Sequence, residues 1–486
     1  MTPTRRVRSQ LRGFVIVWTV LTLIVGTATF AAIFYTYNPN PNSEQDSLSE
    51  DVALPQGTTA VAEAQTPSVT PSPTTPPPTA TAPPTVEAQV LPTIPPNAPT
   101  DEPVEEPTMT PTLVPIEDRR FQVGIQVQEV PDFNQEFQDG WFNSVANDLQ
   151  LGWVKQQVRW EILEPEKGNI NWAMLDLVLP SANKFGLKVL ISVVTAPDWA
   201  REPGVYLAQH GPPANPQDYA DFVGAILQRY PGMVHAVEVW NEQNIDREWT
   251  SVEGLSAANY VELLRVTYER VKSIDPNVIV VSGALSPTGV NDGIGAIDDF
   301  VYMEQMIESG LLNYTDCVGA HHNGYNVGPS VSWDAVPNDP TAIFRGPFDN
   351  PHHSWTFRST LQGYATRIAR AGGTQKLCVT EFGWPSAEGL DDVREGFEFA
   401  RDNTLEEQAA FTVEALSNME EWDIVWLAFI WNFNYGPQAG WDVNNDNVAY
   451  SLIGPGFQFR PAYDAIREWQ RGYLERLGLI EPEASN

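Results

Sequence analysis

The sequence is poor in cysteine and in positive charge. Its 486 residues include 2 cysteines, and 28 lysines and arginines stand against 62 aspartates and glutamates, for a formal net charge of −34. Two cysteines are too few for a disulfide-rich scaffold. A surface this acidic repels phosphate backbones, so we exclude nucleic acid as a partner and expect little affinity for anionic lipid. Neutral carbohydrates are compatible with this charge.

The two cysteines, Cys317 and Cys378, do not show the short spacing of a metal site. Both fall in predicted neighbouring strands. We favour two buried thiols, because a buried free cysteine behaves as a small hydrophobic residue. A disulfide is the alternative if the domain is exported.

One long segment lacks every residue type that builds a core. Residues 38–117 contain no Phe, Tyr, Trp, Lys, Arg or Cys, and they hold 19 of the chain's 41 prolines. Such a segment cannot bury enough apolar surface to offset the entropy of ordering it. We predict a disordered Pro/Thr/Ser-rich linker over residues 37–117. Prolines interleaved with Ser and Thr also suit an O-glycosylated stalk.

The N-terminus combines a basic cluster with a long apolar stretch. The stretch from Phe14 to Tyr35 is uncharged, and it follows four arginines, Arg5, Arg6, Arg8 and Arg12. Its length is enough to cross a hydrocarbon core of ~30 Å as a helix. By the positive-inside rule, we predict a cytoplasmic basic tail (1–13) and a single-pass transmembrane signal anchor (14–36), with the remainder extracellular. A cleaved signal peptide is the alternative, but its apolar core is normally shorter.

Short apolar runs alternate with amphipathic stretches throughout residues 118–486. Eight runs are predicted as strands: Phe121–Val127, Trp153–Trp160, Leu187–Val194, Val234–Trp240, Val278–Leu285, Asp316–His321, Lys376–Phe382 and Asp423–Trp431. Continuous apolar strands separated by helices indicate a parallel sheet covered on both faces. Eight such units predict an α/β fold, a (β/α)₈ TIM barrel. An open doubly wound sheet is disfavoured, because Gly124 stands alone where a glycine-rich turn is expected.

Polar residues follow several predicted strands at the edge where barrels place their active sites. Glu242 follows strand four, and Glu381 ends strand seven. Both glutamates therefore project from the same rim. Cleavage of a glycosidic bond needs two carboxylates, one to protonate the leaving oxygen and one to attack the sugar or activate water.

The segments around these glutamates resemble clan A glycoside hydrolases. The resemblance rests on Val237–Glu242, on Val379–Trp384 and on single residues at the ends of strands two, six and eight. It spans all eight strands, and it is nearest to xylosidase-like and endoglycanase (cellulase-like) members. One departure is Asn323, which stands where many members of the clan have tyrosine, and Tyr325 is expected to substitute for it.

The resemblance implies the catalytic roles. Glu242 is expected to be the general acid/base, with a pKa raised by its anionic partner, and Glu381 the nucleophile. Arg159 is expected to keep Glu381 ionised.

The resemblance also implies a substrate-binding set. We expect Asn241 to bind the sugar 2-hydroxyl and His321 to contact Glu242 or the substrate. Trp431 is expected to form a platform under the sugar ring, with Tyr325 and Trp384 as further contacts.

These observations predict a retaining O-glycosidase that acts on a β-linked oligo- or polysaccharide outside the cell. A transglycosylase is an alternative, as is a non-catalytic cell-surface glycan-binding protein on the same scaffold. A surface adhesion protein whose stalk is the functional part is a third interpretation. The predicted reaction requires no cofactor and no metal, and we expect a monomeric catalytic domain.

Overall fold

Eight parallel strands alternate with helices in the computed structural model, which describes residues 119–128, 134–337 and 352–482. The strands are β1 (Gln122–Gln126), β2 (Trp153–Arg159), β3 (Lys188–Val194), β4 (Ala236–Val239), β5 (Ile279–Ser282), β6 (Val318–Asn323), β7 (Leu377–Gly383) and β8 (Val425–Ile430). All eight coincide with predicted strands, with ends that differ by a few residues. The match follows from sequence, because strands buried on both faces form continuous apolar runs.

Helices connect the strands. The α-helices are α1 (Gln135–Asn143), α2 (Trp160–Leu163), α3 (Ala173–Lys184), α4 (Pro216–Arg229), α5 (Ala257–Ile274), α6 (Asp299–Glu308), α7 (Phe357–Arg370), α8 (Leu405–Trp422), α9 (Tyr435–Gln438) and α10 (Pro461–Arg476). Side chains cap the starts of α4 and α5: that of Asn215 accepts from the backbone N–H of Gln217, and that of Ser256 accepts from the backbone N–H of Asn259. These caps satisfy N–H groups that lack a partner within the helix.

The sheet closes into a barrel between β5 and β6. The eight strands pair in the order β5-β4-β3-β2-β1-β8-β7-β6, and parallel bridges between Val281 and Cys317 and between Leu285 and Ala320 join the two ends of this order. A side chain at Gly319 would collide with the carbonyl oxygen of Ser282, so glycine permits this close approach. The predicted (β/α)₈ barrel is therefore confirmed.

Buried apolar residues form two clusters. The larger one lies between the strands and the helices. The smaller one draws on residues from around the sheet, such as Trp153, Leu190 and Phe429, and so fills the barrel interior.

Cys317 and Cys378 belong to the interior cluster, and their sulfur atoms are bonded at 2.09 Å. The prediction of two free thiols is wrong. The register between β6 and β7 pairs Gly319 with Cys378, which brings the two cysteines within bonding range. This register was not available from sequence alone.

No helix in the three described ranges is long and apolar enough to span a bilayer. The predicted basic tail (1–13), transmembrane helix (14–36) and linker (37–117) lie outside those ranges.

Candidate active site

Glu242 and Glu381 line one cleft of about 580 Å³ at the carboxyl ends of the strands. Each side chain is 11% exposed, which places both carboxylates at the cleft surface. Glu381 lies within β7, and Glu242 lies in the turn that follows β4. Trp240 and Glu242 in that turn both have positive φ, at 76° and 47°. Such backbone strain in non-glycine residues is concentrated at functional sites.

His321 contacts both glutamates. Its Nδ1 is 3.3 Å from Oε1 of Glu242, and its Nε2 is 3.9 Å from Oε1 of Glu381. The contact with Glu381 arises because β6 and β7 are neighbours with His321 and Glu381 in register. One imidazole ring therefore spans the gap between the two carboxylates. The structure places His321 against Glu242, where the resemblance implies it.

Lys155 provides the cation beside Glu381. Its Nζ lies 2.9 Å from Oε1 of Glu381 and 3.5 Å from Oε2 of Glu238, and the lysine is fully buried. Burial acts to lower the pKa of Lys155, but the charges of Glu381 and Glu238 outweigh it and raise that pKa. The ammonium therefore stays charged against Glu381. Sequence reasoning missed Lys155, because a lysine inside a strand gives no motif.

Arg159 lies elsewhere, and the prediction that it holds Glu381 ionised is wrong. Its guanidinium pairs with Glu161, and its side chain is 45% exposed. Arg159 lines an adjoining chamber of about 450 Å³. Lys155 and Arg159 project to the same side of β2, since side chains alternate along a strand. Lys155, the deeper of these two cations, is the one that reaches the carboxylate of Glu381.

Glu238 anchors Lys155 from below. Its Oε1 accepts hydrogen bonds from Thr380 Oγ1 at 2.6 Å and from the backbone N–H of Ala284 at 3.3 Å. The buried ammonium thus has two carboxylates as partners, and buried charges are tolerated only with such partners. The chain Glu238–Lys155–Glu381 fixes the position of the last carboxylate.

Glu242 is ionised in this structure. Burial acts to raise its pKa, but the hydrogen bond and charge of His321, together with Arg247, outweigh burial and lower the pKa to about 2. Arg247 Nη2 lies 3.1 Å from Oε2 of Glu242. Burial acts to lower the pKa of His321, but Glu381 and Glu242 raise it. The prediction that an anionic partner raises the pKa of Glu242 is wrong, because the contacts with His321 and Arg247 lower it.

Glu248 is a third carboxylate in the cleft, and sequence reasoning missed it. Burial, followed by the charges of Glu242 and Glu381, raises its pKa to about 7 against the opposing charge of Arg247. Glu248 lines both the main cleft and the adjoining chamber, as do Gln157 and Tyr435. The two chambers therefore meet at a carboxyl group that titrates near neutral pH.

Three other predicted residues line the cleft: Asn241, Tyr325 and Trp431. The ring of Trp431 lies 5.8 Å from Lys155 Nζ and 5.1 Å from the ring of Tyr435. Burial raises the pKa of Tyr325 to about 12, so its phenol remains protonated. Asn323, which marks the departure from the clan pattern, donates to Oε2 of Glu381 at 3.4 Å.

Trp384 lies outside the cleft, and the prediction that it contacts substrate is wrong. Its ring is 1% exposed, and its Nε1 donates to the carbonyl oxygen of Val327 at 2.8 Å. A side chain at Gly324 would collide with this ring. Trp384 therefore supports the turn after β6 from below.

The fold is shared with known glycoside hydrolases. No family model and no curated protein sequence matches the chain. Among solved structures, a family 39 glycoside hydrolase from the gut symbiont Bacteroides cellulosilyticus WH2 is similar with a TM-score of 0.52 and 17% identity, over 73% of this chain and 64% of that one. The beta-glycosidase BGL167 gives a TM-score of 0.50 and 14% identity, over 75% of this chain and 98% of that one. The chain thus spans 64% of the first structure, and the resemblance to glycoside hydrolase barrels is confirmed at the level of the fold.

Proposed function

We propose that this protein is a retaining glycoside hydrolase acting on a β-linked oligo- or polysaccharide. The observation that carries the proposal is the pair of cleft carboxylates, Glu242 and Glu381, on either side of the His321 ring. Two carboxylates facing one polar cleft are the minimum apparatus for cleaving a glycosidic bond. Glu381 is held by Lys155 and Asn323, as a nucleophile requires a fixed position.

In the first step, a Glu381 oxygen attacks the anomeric carbon. The bond from that carbon to the glycosidic oxygen breaks, and Glu242 gives the departing oxygen a proton. In the second step, Glu242 takes a proton from water, whose oxygen displaces Glu381, and the return of that proton from Glu242 to His321 restores the free enzyme. Transfer to another sugar instead of water would make the protein a transglycosylase.

We propose that His321, whose pKa is raised by Glu381 and Glu242, holds the proton needed in the first step. Glu242 is ionised in the free protein, while the pKa of His321 is raised. Arg247 is 65% exposed, so a substrate can displace its guanidinium from Glu242. Loss of that cation raises the proton affinity of Glu242, and the proton then moves from Nδ1 of His321 to Oε1 of Glu242 across 3.3 Å.

The cleft suits a chain of sugars. It meets a second chamber beside Glu248, and Trp431 offers an apolar ring face on its wall. Aromatic faces and polar side chains together match the two faces of a sugar ring.

We also propose that the barrel functions outside the cell, as an extracellular domain held by the N-terminal apolar segment. The disulfide between Cys317 and Cys378 supports an oxidising compartment. The unbroken apolar stretch from Phe14 to Tyr35 supports a membrane anchor.

A screen of aryl β-glycosides and polysaccharides tests the proposed activity, with wild type beside Glu381→Gln and Glu242→Gln. We expect turnover in wild type and a loss of at least about 1,000-fold in Glu381→Gln, because the attacking atom is lost. NMR should show that the sugar product first released has the same anomeric configuration as the substrate. A 2-deoxy-2-fluoro glycoside should label Glu381, as peptide mapping would show. Equal activity in wild type and Glu381→Gln would refute the proposal. Glycan binding without turnover would favour the non-catalytic alternative.

A further inference from the structure

Two adjacent histidines face two adjacent aspartates beside the cleft. His352 and His353 precede α7, and Asp298 and Asp299 stand at the start of α6. Nε2 of His352 lies 2.8 Å from Oδ2 of Asp298, and Nε2 of His353 lies 2.9 Å from Oδ1 of Asp299. Ligand atoms of Asp298, His352 and His353 all lie within 4.8 Å of one another.

We propose that Asp298, His352 and His353 bind one divalent transition-metal ion, for which Zn²⁺ is the expected occupant. Two imidazole nitrogens and one carboxylate oxygen suit zinc, which takes three protein ligands and one water in an open tetrahedral site. Calcium is disfavoured, because it requires six or more oxygen ligands. This site is separate from the proposed glycosidase chemistry and does not depend on it.

Asp298 has one oxygen for the helix and one for the ion. Its Oδ1 accepts from the backbone N–H groups of Phe300 and Val301, at 2.9 and 3.0 Å, and so caps α6. Its Oδ2 points toward His352. The helix cap therefore fixes the carboxylate in a position where it can bind an ion through a single oxygen.

The histidines are also oriented by their other ring nitrogens. Nδ1 of His352 lies 2.9 Å from Oγ of Ser354, which leaves Nε2 to bind the ion. Nε2 of His353 is held by Asp299, so in the proposed site His353 would bind the ion through Nδ1. A carboxylate that orients a metal-binding histidine in this way is a regular feature of metal sites.

Asp299 is itself held firmly. It is fully buried, and it accepts from Tyr364 Oη at 2.6 Å and from the backbone N–H of Thr288 at 3.0 Å. Two neighbouring residues thus have different tasks: Asp298 binds the ion, and Asp299 positions a ligand.

An ion here would fix one wall of the cleft. Ser354 follows the two histidines, and its carbonyl oxygen lies 3.2 Å from Nε2 of His322. Both Ser354 and His322 line the cleft. The proposed ion therefore joins the segment before α7 to the start of α6, directly behind that wall.

Zinc titration of the purified, untagged, metal-stripped full-length protein tests the site by calorimetry. We expect one Zn²⁺ per chain and at least tenfold weaker binding of Ca²⁺. His352→Asn should weaken Zn²⁺ binding at least tenfold, and Asp299→Asn by about 10–100-fold. Zn²⁺ should raise the unfolding temperature of wild type but not of His352→Asn.

Two further variants separate metal binding from folding. Asp298→Asn keeps the helix cap, because an amide oxygen accepts the same hydrogen bonds, yet it should weaken Zn²⁺ binding at least tenfold. His235→Asn is the matched control, since His235 precedes β4 at the opposite end of the barrel, and it should bind Zn²⁺ as wild type does.

X-ray absorption of zinc-loaded wild type should show two imidazole ligands, a result that requires no variant. Absence of saturable one-to-one binding, or unchanged binding in both His352→Asn and Asp298→Asn, would overturn the proposal. The cluster would then consist of two hydrogen-bonded histidine–aspartate pairs.

Discussion

The ammonium nitrogen of Lys155 lies 2.9 Å from Oε1 of Glu381, inside the barrel and away from solvent. This contact is the closest charge partner that the described residues offer the proposed nucleophile. Through this contact, a side chain of β2 holds the proposed nucleophile of β7 from across the barrel.

Replacement of Lys155 by methionine should reduce kcat by about 100-fold or more, because a preorganised charge in a buried site is lost. It should also destabilise the fold by about 3–5 kcal/mol, since two buried carboxylates lose their shared cation. Steady-state kinetics and urea unfolding measure the two effects. Arg159→Gln, which removes the other cation of β2, is the matched control. A larger loss of kcat in Arg159→Gln than in Lys155→Met would contradict this assignment.

The stability of the protein should depend on pH through Glu242. The folded-state pKa of about 2 lies below the ordinary value of 4.5, so this group stabilises the fold above pH 4.5. That stability, about 3 kcal/mol at most, is lost as pH falls from about 4.5 toward 2. Denaturant unfolding between pH 2 and pH 6 measures it. In Glu242→Gln the slope over this range should be shallower, and an unchanged slope would be inconsistent with the His321 contact.

Glu248 should have the opposite effect on the pH dependence of stability: it should make the fold less stable as pH rises. Its folded-state pKa of about 7 lies above the ordinary 4.5, so the fold favours the protonated form. The fold should therefore lose stability as pH rises from 4.5 to 7, where the unfolded chain releases this proton first. Glu248→Gln should raise the unfolding temperature at pH 8 and leave it nearly unchanged at pH 4.5. A lower unfolding temperature for Glu248→Gln at pH 8 would count against the raised pKa.

Trp431 and Trp384 were both predicted to contact substrate, but replacing them should have different effects. Trp431 lines the cleft, so Trp431→Ala should raise KM about tenfold or more through loss of the apolar ring face. Trp384 is buried, so Trp384→Phe should keep KM and lose about 1 kcal/mol with its hydrogen bond to Val327. Kinetics and thermal unfolding of both variants measure the difference. An increase in KM for Trp384→Phe would indicate that Trp384 does contact the substrate.

Much of the proposed site could be predicted from the sequence. Glu242, Glu381 and His321 each stand at the end of an apolar run, and the closed barrel brings strand ends together at one rim. Periodicity and strand order were sufficient for these residues, because the position of a side chain at the rim follows directly from the position of its strand.

The electrostatics of the site could not be predicted in this way. The partner of Glu381 is Lys155 and not Arg159, and Glu242 lies beside His321 and Arg247. Each of these contacts depends on side-chain reach and depth across the barrel, which a motif does not encode. The same applies to Trp384, whose burial depends on the course of the turn after β6.

The sequence by itself determined the eight-strand barrel and the rim on which both glutamates stand, because alternating apolar runs and helix caps are local properties of the chain. Tertiary structure alone decided which cations meet those glutamates, that Cys317 and Cys378 join, and that His352 and His353 face Asp298 and Asp299. The physical reason is distance. Charge interactions and covalent links depend on separations of a few ångströms between residues that are far apart in the chain, and the register of neighbouring strands sets those separations.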